Sequence, residues 1–260
     1  MNQYICGAVI DIGVGRENQE DFADFKEFED GSLLCIIADG TGSKPNYPQP
    51  APLVVSEIVE FISTLYTEHK ELFIQNPSFF IKCAMLQANK LLGAFKMGNE
   101  EIYSGYAASV TCCFLLPNET LYIGHTGNTR LYVIRNGMLK QLTKDHTKAS
   151  KLLDEGIIDL NTYHVHPDRL KVTSGLGMVV DPEIQILSGQ FKANDLLLMT
   201  TDGVHYAIQP NAIANIVLNS ADCQTATANL IDAAKNIVKY PDNMSAMLIH
   251  KNILTQNPPA

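Results

Sequence analysis

The chain has 260 residues, of which 46% are hydrophobic and 18% charged, a composition typical of a folded globular protein rather than a disordered, collagen-like or coiled-coil one. Its 28 Asp and Glu residues outnumber 19 Lys and Arg, which gives a net charge of −9. An acidic surface disfavours nucleic acid and anionic membranes as partners, because both require basic side chains to neutralise phosphates. We therefore expect neither partner.

Residues 1–13 contain no basic leader, and Gly7 and Asp11 interrupt their apolar run, so we predict no export signal. No run of about 18 consecutive apolar residues occurs, which predicts that no segment spans a membrane. We expect a cytoplasmic protein with one domain over residues 1–250 and a tail over 251–260. The six cysteines include no C-x-x-C pair, which favours free thiols over a zinc site.

Apolar stretches bounded by turn residues predict strands, and three- and four-residue apolar spacing predicts helices. In chain order the predicted strands are 3–10, 32–38, 106–116, 120–126, 130–134, 183–188, 195–200 and 243–249. Helices are predicted around 54–65, over 77–97 and around 230–238, and the Pro-rich stretch 45–52 is predicted to be a loop. Short strands joined by tight turns in the middle of the chain indicate an antiparallel meander. Helices and strands are thus segregated, and the fold class is α+β.

Acidic residues recur at the ends of these predicted strands. They are Asp39 and Asp202, each followed by a glycine, together with Asp242 and the pair Glu20–Asp21. Carboxylates at the mouths of buried strands suit hard, oxygen-liganded cations such as Mg²⁺ or Mn²⁺. Two such ions close together would activate water for attack on phosphorus. An Asp-Gly pair after a strand is also an ordinary turn, and spacing alone does not show that these positions converge.

Five separated motifs resemble those of the metal-dependent protein phosphatase 2C family, in the same order and with similar spacing. They are Arg16-Glu17-Asn18-Gln19-Glu20-Asp21, Ala38-Asp39-Gly40, Gly127-Asn128-Thr129-Arg130, Thr201-Asp202-Gly203 and Asp242-Asn243. The resemblance covers about residues 5–250 and is to the bacterial branch of the family. It implies a four-layer α-β-β-α sandwich, in which two antiparallel sheets are flanked by helices.

The resemblance also implies a centre of two Mn²⁺ or Mg²⁺ ions. Its ligands would be Glu20, Asp21, Asp39, Gly40, Asp202 and Asp242. Asp39 would bridge both ions, Asp202 and Asp242 would complete one of them, and the Gly40 carbonyl would serve the other. Glu20 and Asp21 would act largely through metal-bound water.

The implied activity is that of a protein serine/threonine phosphatase, with Arg16, Asp39 and Asp202 as catalytic residues. A water activated by the two metals would attack phosphoserine or phosphothreonine directly. Arg16 would bind the substrate phosphate, for which a guanidinium fork is well suited. The expected partners are phosphorylated proteins and a serine/threonine kinase that acts in the same signalling pathway, and we expect a monomer.

Two stretches depart from the family pattern. After Asp39-Gly40 the family has a glycine-rich run, whereas this chain has a loop with four prolines at 45, 48, 50 and 52, and Asn128 stands where bacterial members have an aspartate that helps to hold a third metal ion. A neutral amide predicts a weak third site, since divalent-ion binding depends strongly on carboxylate charge. The other interpretation is that Asn128 stabilises the turn between two strands. Asn128 and the altered loop leave open a phosphatase-like regulatory or phosphoprotein-binding module with weak turnover. A hydrolase of small phosphate esters is a further alternative, since no appended specificity domain is expected.

Overall fold

The structure is a computed structural model that describes residues 3–42, 44, 47–237 and 242–251. The strands in this part of the chain are β1 (Tyr4–Asp11), β2 (Asp21–Glu27), β3 (Leu33–Thr41), β4 (Ala107–Leu115), β5 (Thr120–Thr126), β6 (Arg130–Arg135), β7 (Met138–Gln141), β8 (Gln185–Gln190), β9 (Leu196–Thr200) and β10 (Met244–Lys251). They form one sheet of order β1-β10-β9-β6-β7 and a second of order β2-β3-β4-β5-β8. Neighbouring strands in both sheets are antiparallel.

The described residues also form helices, several of which cover the outer faces of the two sheets. They are α1 (Pro50–Glu68), α2 (Lys70–Gln75), α3 (Pro77–Lys96), α4 (Lys148–Asp154), α5 (Leu160–Val165), α6 (Asp202–His205), α7 (Pro210–Leu218) and α8 (Cys223–Ile237). A short 3₁₀ turn at Pro167–Leu170 follows α5. The described residues include no helix that is long and apolar enough to cross a membrane.

The alternation of side chains along β3 and β4 builds the layers. Leu34 and Ile36 of β3 pack with α1 and α3 in one core, whereas Leu33 and Ile37 face the other sheet in a second core. Side chains of successive strand residues point to opposite faces, so a strand that is apolar at every position is buried on both sides. A third core packs α7 and α8 against the first sheet. The predicted α+β class and the α-β-β-α sandwich are therefore confirmed.

Two strands lie outside the eight predicted from apolar patterning. In β2 only Asp21 is buried and the residues from Asp24 onwards are exposed, so its sequence carries no apolar stretch. The strand β7 has only four residues, none of them buried. Both are edge strands, for which one covered face and few apolar residues suffice.

The predicted meander in the middle of the chain is wrong. The hairpin β4–β5 belongs to the second sheet, and the hairpin β6–β7 belongs to the first. The chain crosses between the sheets at Gly127, whose φ of +98° is a conformation that glycine adopts readily. A Cβ atom at Gly127 would lie 2.2 Å from Ser109 Oγ. The crossing therefore also requires a residue without a side chain.

The predicted loop at 45–52 is wrong at its end, because α1 begins at Pro50. A proline in the first helical turn gives up no hydrogen bond, since that N–H would have no partner inside the helix. Residues 45 and 46 lie outside the described residues. So do Val238, at the end of the helix predicted around 230–238, and the tail beyond Lys251. Lys251 itself, predicted as the first tail residue, ends β10.

Candidate active site

A cleft of about 580 Å³ opens where β3 ends and α6 begins. Its walls include six of the seven residues that the sequence singled out: Arg16, Glu20, Asp39, Gly40, Asp202 and Asp242. These residues come from both sheets and from three distant parts of the chain. The strand ends therefore meet at one place, which sequence spacing alone did not establish.

Gly40 lies where β2, β3 and α1 come together. Its N–H donates to the carbonyl of Glu20 at 3.0 Å, and Asp39 pairs with Asp21 across the two strands. A Cβ atom at Gly40 would lie 2.8 Å from Glu20 O and 2.9 Å from Pro50 Cγ. Only glycine allows the three elements to approach this closely, and their approach places Glu20 and Asp39 side by side.

Two more glycines place Asp242 beside Asp202. Gly203 lies in the first turn of α6, where a Cβ atom would be 2.0 Å from the carbonyl oxygen of Asn243. Gly13 has a φ of +76°, and a Cβ atom there would be 1.8 Å from the carbonyl oxygen of Asp242. The backbone of the segment before β10 thus lies in close contact with the chain at two glycines, Gly13 and Gly203.

Asn243 connects this segment to the loop that carries Arg16. Its Oδ1 accepts the N–H of Glu20 at 2.8 Å, and its Nδ2 donates to the carbonyls of Ile12 at 2.8 Å and Asn18 at 2.9 Å. The side chain is buried and uses its acceptor and both donor hydrogens. Sequence reasoning noted Asn243 only as part of a motif, because its partners lie more than 220 residues away.

Asp21 lies behind the cleft rather than in its wall. The hydroxyls of Thr201 and Ser245 donate to its Oδ2 at 2.7 and 2.8 Å. Burial raises the pKa of Asp21 to about 7, with the negative charges of Asp202 and Asp242 adding to the rise, and the two hydroxyls oppose it. Asp21 therefore joins β2 to the other sheet and contributes negative charge beneath the cleft.

Negative charge is concentrated in the cleft. The pKa of Asp39 is raised well above its usual range. Burial is the largest cause, and the negative charges of nearby carboxylates add to it: Asp202, Asp21, Asp242 and Glu20. The pKa of Asp202 is raised to about 7, first by burial and then by Asp242. Carboxylates that raise one another's pKa lie close enough together for a shared cation to stabilise them.

Arg16 is the cation that the structure places against this cluster. Its guanidinium hydrogen-bonds to Asp242, and a second nitrogen lies 3.9 Å from Glu20 Oε2. These contacts raise the pKa of Arg16, with the hydrogen bond to Asp242 as the largest cause. A side chain that is partly exposed and bound to a rim carboxylate can turn towards an anion in the cleft.

Asn128 is buried and lines the cleft beside Asp202. Its Nδ2 donates to Asp202 Oδ2 at 2.9 Å, and its Oδ1 accepts from Ser109 Oγ at 2.8 Å. The side-chain amide of Asn128 thus orients Asp202. Asn128 also belongs to the segment, directly after Gly127, where the chain passes from one sheet to the other. Ser109, on β4, carried no sequence signal, because a serine in an apolar strand has no distinctive pattern.

In the described part of the chain, no group of three or more His, Cys, Asp or Glu side chains has a ready-made metal-binding arrangement. Three of the carboxylates already accept hydrogen bonds from other side chains. Asp242 is bound by Arg16, Asp202 by Asn128, and Asp21 by two hydroxyls.

Comparison with known proteins identifies the class of protein to which this fold and cleft belong. The sequence profile of the family described as Protein phosphatase 2C matches residues 11–240. The chain is 24% identical to the protein phosphatase PhpP of Streptococcus pneumoniae over 243 residues, which cover 93% of this chain and 95% of PhpP. Its fold is similar to that of the S. agalactiae serine/threonine phosphatase, with a TM-score of 0.83, 20% identity and coverage of 96% and 100% of the two chains.

A further similar structure is the catalytic domain of the serine/threonine protein phosphatase PstP in complex with two manganese ions. Its TM-score is 0.76 at 22% identity, and the match covers 95% of this chain and 97% of that one. At this identity the solved structures establish a shared fold. The chain belongs to the protein phosphatase 2C family, and by that membership it is a phosphoprotein phosphatase.

Replacing Gly203 by alanine is expected to destabilise the protein. The new Cβ would collide with the backbone oxygen of Asn243, and forced overpacking costs about 1–3 kcal/mol. The measurement is the free energy of unfolding in urea. Gly189→Ala is the matched control, since a Cβ there would meet nothing within 4 Å. Equal stability of the two variants would contradict the close approach of α6 and the segment before β10.

Proposed function

We propose that the protein is a metal-dependent serine/threonine phosphatase that hydrolyses phosphoserine and phosphothreonine in proteins with the help of two Mn²⁺ or Mg²⁺ ions. The observation that carries the proposal is the meeting of four carboxylates and Arg16 in one cleft. Membership of the protein phosphatase 2C family supports it, as does the similar fold of a phosphatase in complex with two manganese ions.

The donor set fits such ions. Asp39, Asp202, Asp242 and Glu20 provide carboxylate oxygens, and Gly40 adds a backbone carbonyl to the same wall. Oxygen donors of this kind suit Mg²⁺ and Mn²⁺. The raised pKa values of Asp39 and Asp202 point the same way, because a bound cation would relieve the repulsion among these carboxylates. Asp21, behind the wall, would act through water and through its charge.

When bound, the two ions would supply a water activated for direct attack on phosphorus. Asp39, between the other carboxylates, would hold both ions, and Asp202, oriented by Asn128, would hold one of them. Arg16 would exchange its contact with Asp242 for the substrate phosphate, to which a guanidinium donates two parallel hydrogen bonds. Its positive charge would then stabilise the equatorial oxygens as the phosphoryl group is transferred.

The proposal extends to the protein's surroundings. Its substrates would be phosphorylated proteins, and a serine/threonine kinase would supply them. The net charge of −9 supports a protein that binds neither nucleic acid nor anionic membranes. We further propose a cytoplasmic monomer with a single domain that extends to Lys251, the last residue of β10.

A second candidate function is a regulatory module that binds phosphoproteins and turns them over weakly. The observation that favours it is Asn128, which lines the cleft as a neutral amide. Turnover of a phosphopeptide and of p-nitrophenyl phosphate by the wild type, each with Mn²⁺ and with a chelator, separates this candidate from the enzyme and from a hydrolase of small phosphate esters.

Asp39→Asn is expected to lower the turnover of a phosphopeptide at saturating Mn²⁺ by at least about 100-fold, because the variant loses a central metal charge. In the presence of a chelator its melting temperature should equal or exceed that of the wild type, since one repelling charge has been removed. Turnover and thermal unfolding are measured on the same samples. Asp24→Asn, on the exposed part of β2, is the control. Activity within a few fold of the wild type would reject the binuclear proposal.

A third, weak metal site beside Asn128 is also part of the proposal. Asn128→Asp should lower the melting temperature in chelator, because the donor to Asp202 is replaced by a second carboxylate. Mn²⁺ should then raise the melting temperature more in the variant than in the wild type, and turnover should increase during the same titration. Asn118→Asp, in an exposed turn, is the control. Identical Mn²⁺ titrations for Asn128→Asp and the wild type would leave Asn128 with an orienting role only.

A further inference from the structure

The lining of the cleft includes apolar side chains. Leu170, Val172 and Met178 line it together with the carboxylates, and the chain continues from Met178 into two more exposed apolar residues. Val179 is 47% exposed and Val180 is 97% exposed. A group of exposed apolar side chains beside a polar cleft is a feature of interaction surfaces rather than of ordinary loops.

The loop that carries these residues is held in place by a buried asparagine. Nδ2 of Asn89, on α3, donates to the carbonyls of Val179 at 3.2 Å and Val180 at 3.1 Å, and its Oδ1 accepts the N–H of Gly177 at 2.6 Å. Lys96, the last residue of α3, donates to the carbonyl of Gly177. The backbones of Leu176 and Ala108 exchange two hydrogen bonds of 2.9 Å. The apolar tip is therefore presented in a defined position.

Core packing does not account for the tip. Leu176 fills the core between α3 and β4, and it is fully buried. The three residues Met178, Val179 and Val180 are exposed instead, although the loop is anchored through its backbone and would tolerate polar side chains there. Their apolar character thus calls for a partner at the mouth of the cleft.

Resting on the proposed phosphatase function, we propose that Met178 and Val180 form a subsite for an apolar side chain adjacent to the phosphorylated serine or threonine of the substrate. Met178 lies in the wall of the cleft that would hold the phosphoryl group, so a neighbouring residue of the same peptide reaches the tip. Neither Met178 nor Val180 offers a charge or a side-chain hydrogen bond to a polar neighbour, and Lys96, which lines the same cleft, already donates to the carbonyl of Gly177. An aliphatic residue such as leucine gains most by contact, because it buries apolar surface on both partners.

The test uses two phosphopeptides that differ only in leucine or serine at the positions flanking the phosphoserine. We expect the wild type to prefer the leucine peptide by about tenfold in kcat/KM, the range that one apolar contact supports. Val180→Ser and Met178→Gln should each lower this ratio towards one. Val165→Ser, which replaces a valine that is 72% exposed on α5 outside the cleft wall, should leave the ratio unchanged.

Hydrolysis of p-nitrophenyl phosphate by the wild type separates failure of the subsite from failure of the proposed function. Hydrolysis of this small ester together with equal kcat/KM for the two peptides overturns the subsite alone. A preference that survives in both variants also overturns it. If the wild type hydrolyses neither ester nor peptide, the Kd values of the two fluorescently labelled peptides decide: tighter binding of the leucine peptide that is lost in Val180→Ser supports the subsite, and equal Kd values reject it.

Discussion

Repulsion among carboxylates at one end of the sandwich is the constraint on which the rest of the site depends. Burial raises the pKa of Asp21, Asp39 and Asp202, and the charge of Asp242 adds to the rise in all three. Burying like charges is unfavourable unless donors or cations surround them. Neutral donors lie beneath and beside the cluster, and the guanidinium of Arg16 lies at its rim. The neutral donors are Thr201, Ser245 and Asn128. Clustered carboxylates favour the binding of cations, because a cation reduces their mutual repulsion. Cations bound there would in turn attract a phosphate.

Glycines and asparagines hold these charged side chains in place. Gly13, Gly40 and Gly203 let backbones approach to distances that no other residue allows. Asn243 and Asn128 then join those backbones and orient one carboxylate. Amides are suited to this task because each supplies donors and an acceptor without adding charge. The geometry of the cleft therefore depends on close backbone packing at glycines and on amide hydrogen bonds as much as on the carboxylates.

The buried strands β3 and β9, which lead to Asp39 and Asp202, could be predicted because their apolar runs record burial on both faces. Motif order then indicated the family and, with it, the sandwich. Other features left no local trace. The β2 strand carries mostly exposed residues, the change of sheet at Gly127 looks like an ordinary turn, and the partners of Asn243 lie at the other end of the chain. Local patterns report what a residue is buried against only when the burial repeats with a regular period.

The position of β10 has a consequence for the protein during synthesis. This strand comes last among the described elements, yet it lies between β1 and β9, and β1 pairs with no other strand of its sheet. The hydrogen bond between Arg16 and Asp242 likewise joins residues 226 positions apart. Contacts of such long sequence separation form late and slowly. A nascent chain on the ribosome thus keeps an incomplete first sheet and an unformed cleft until β10 has emerged.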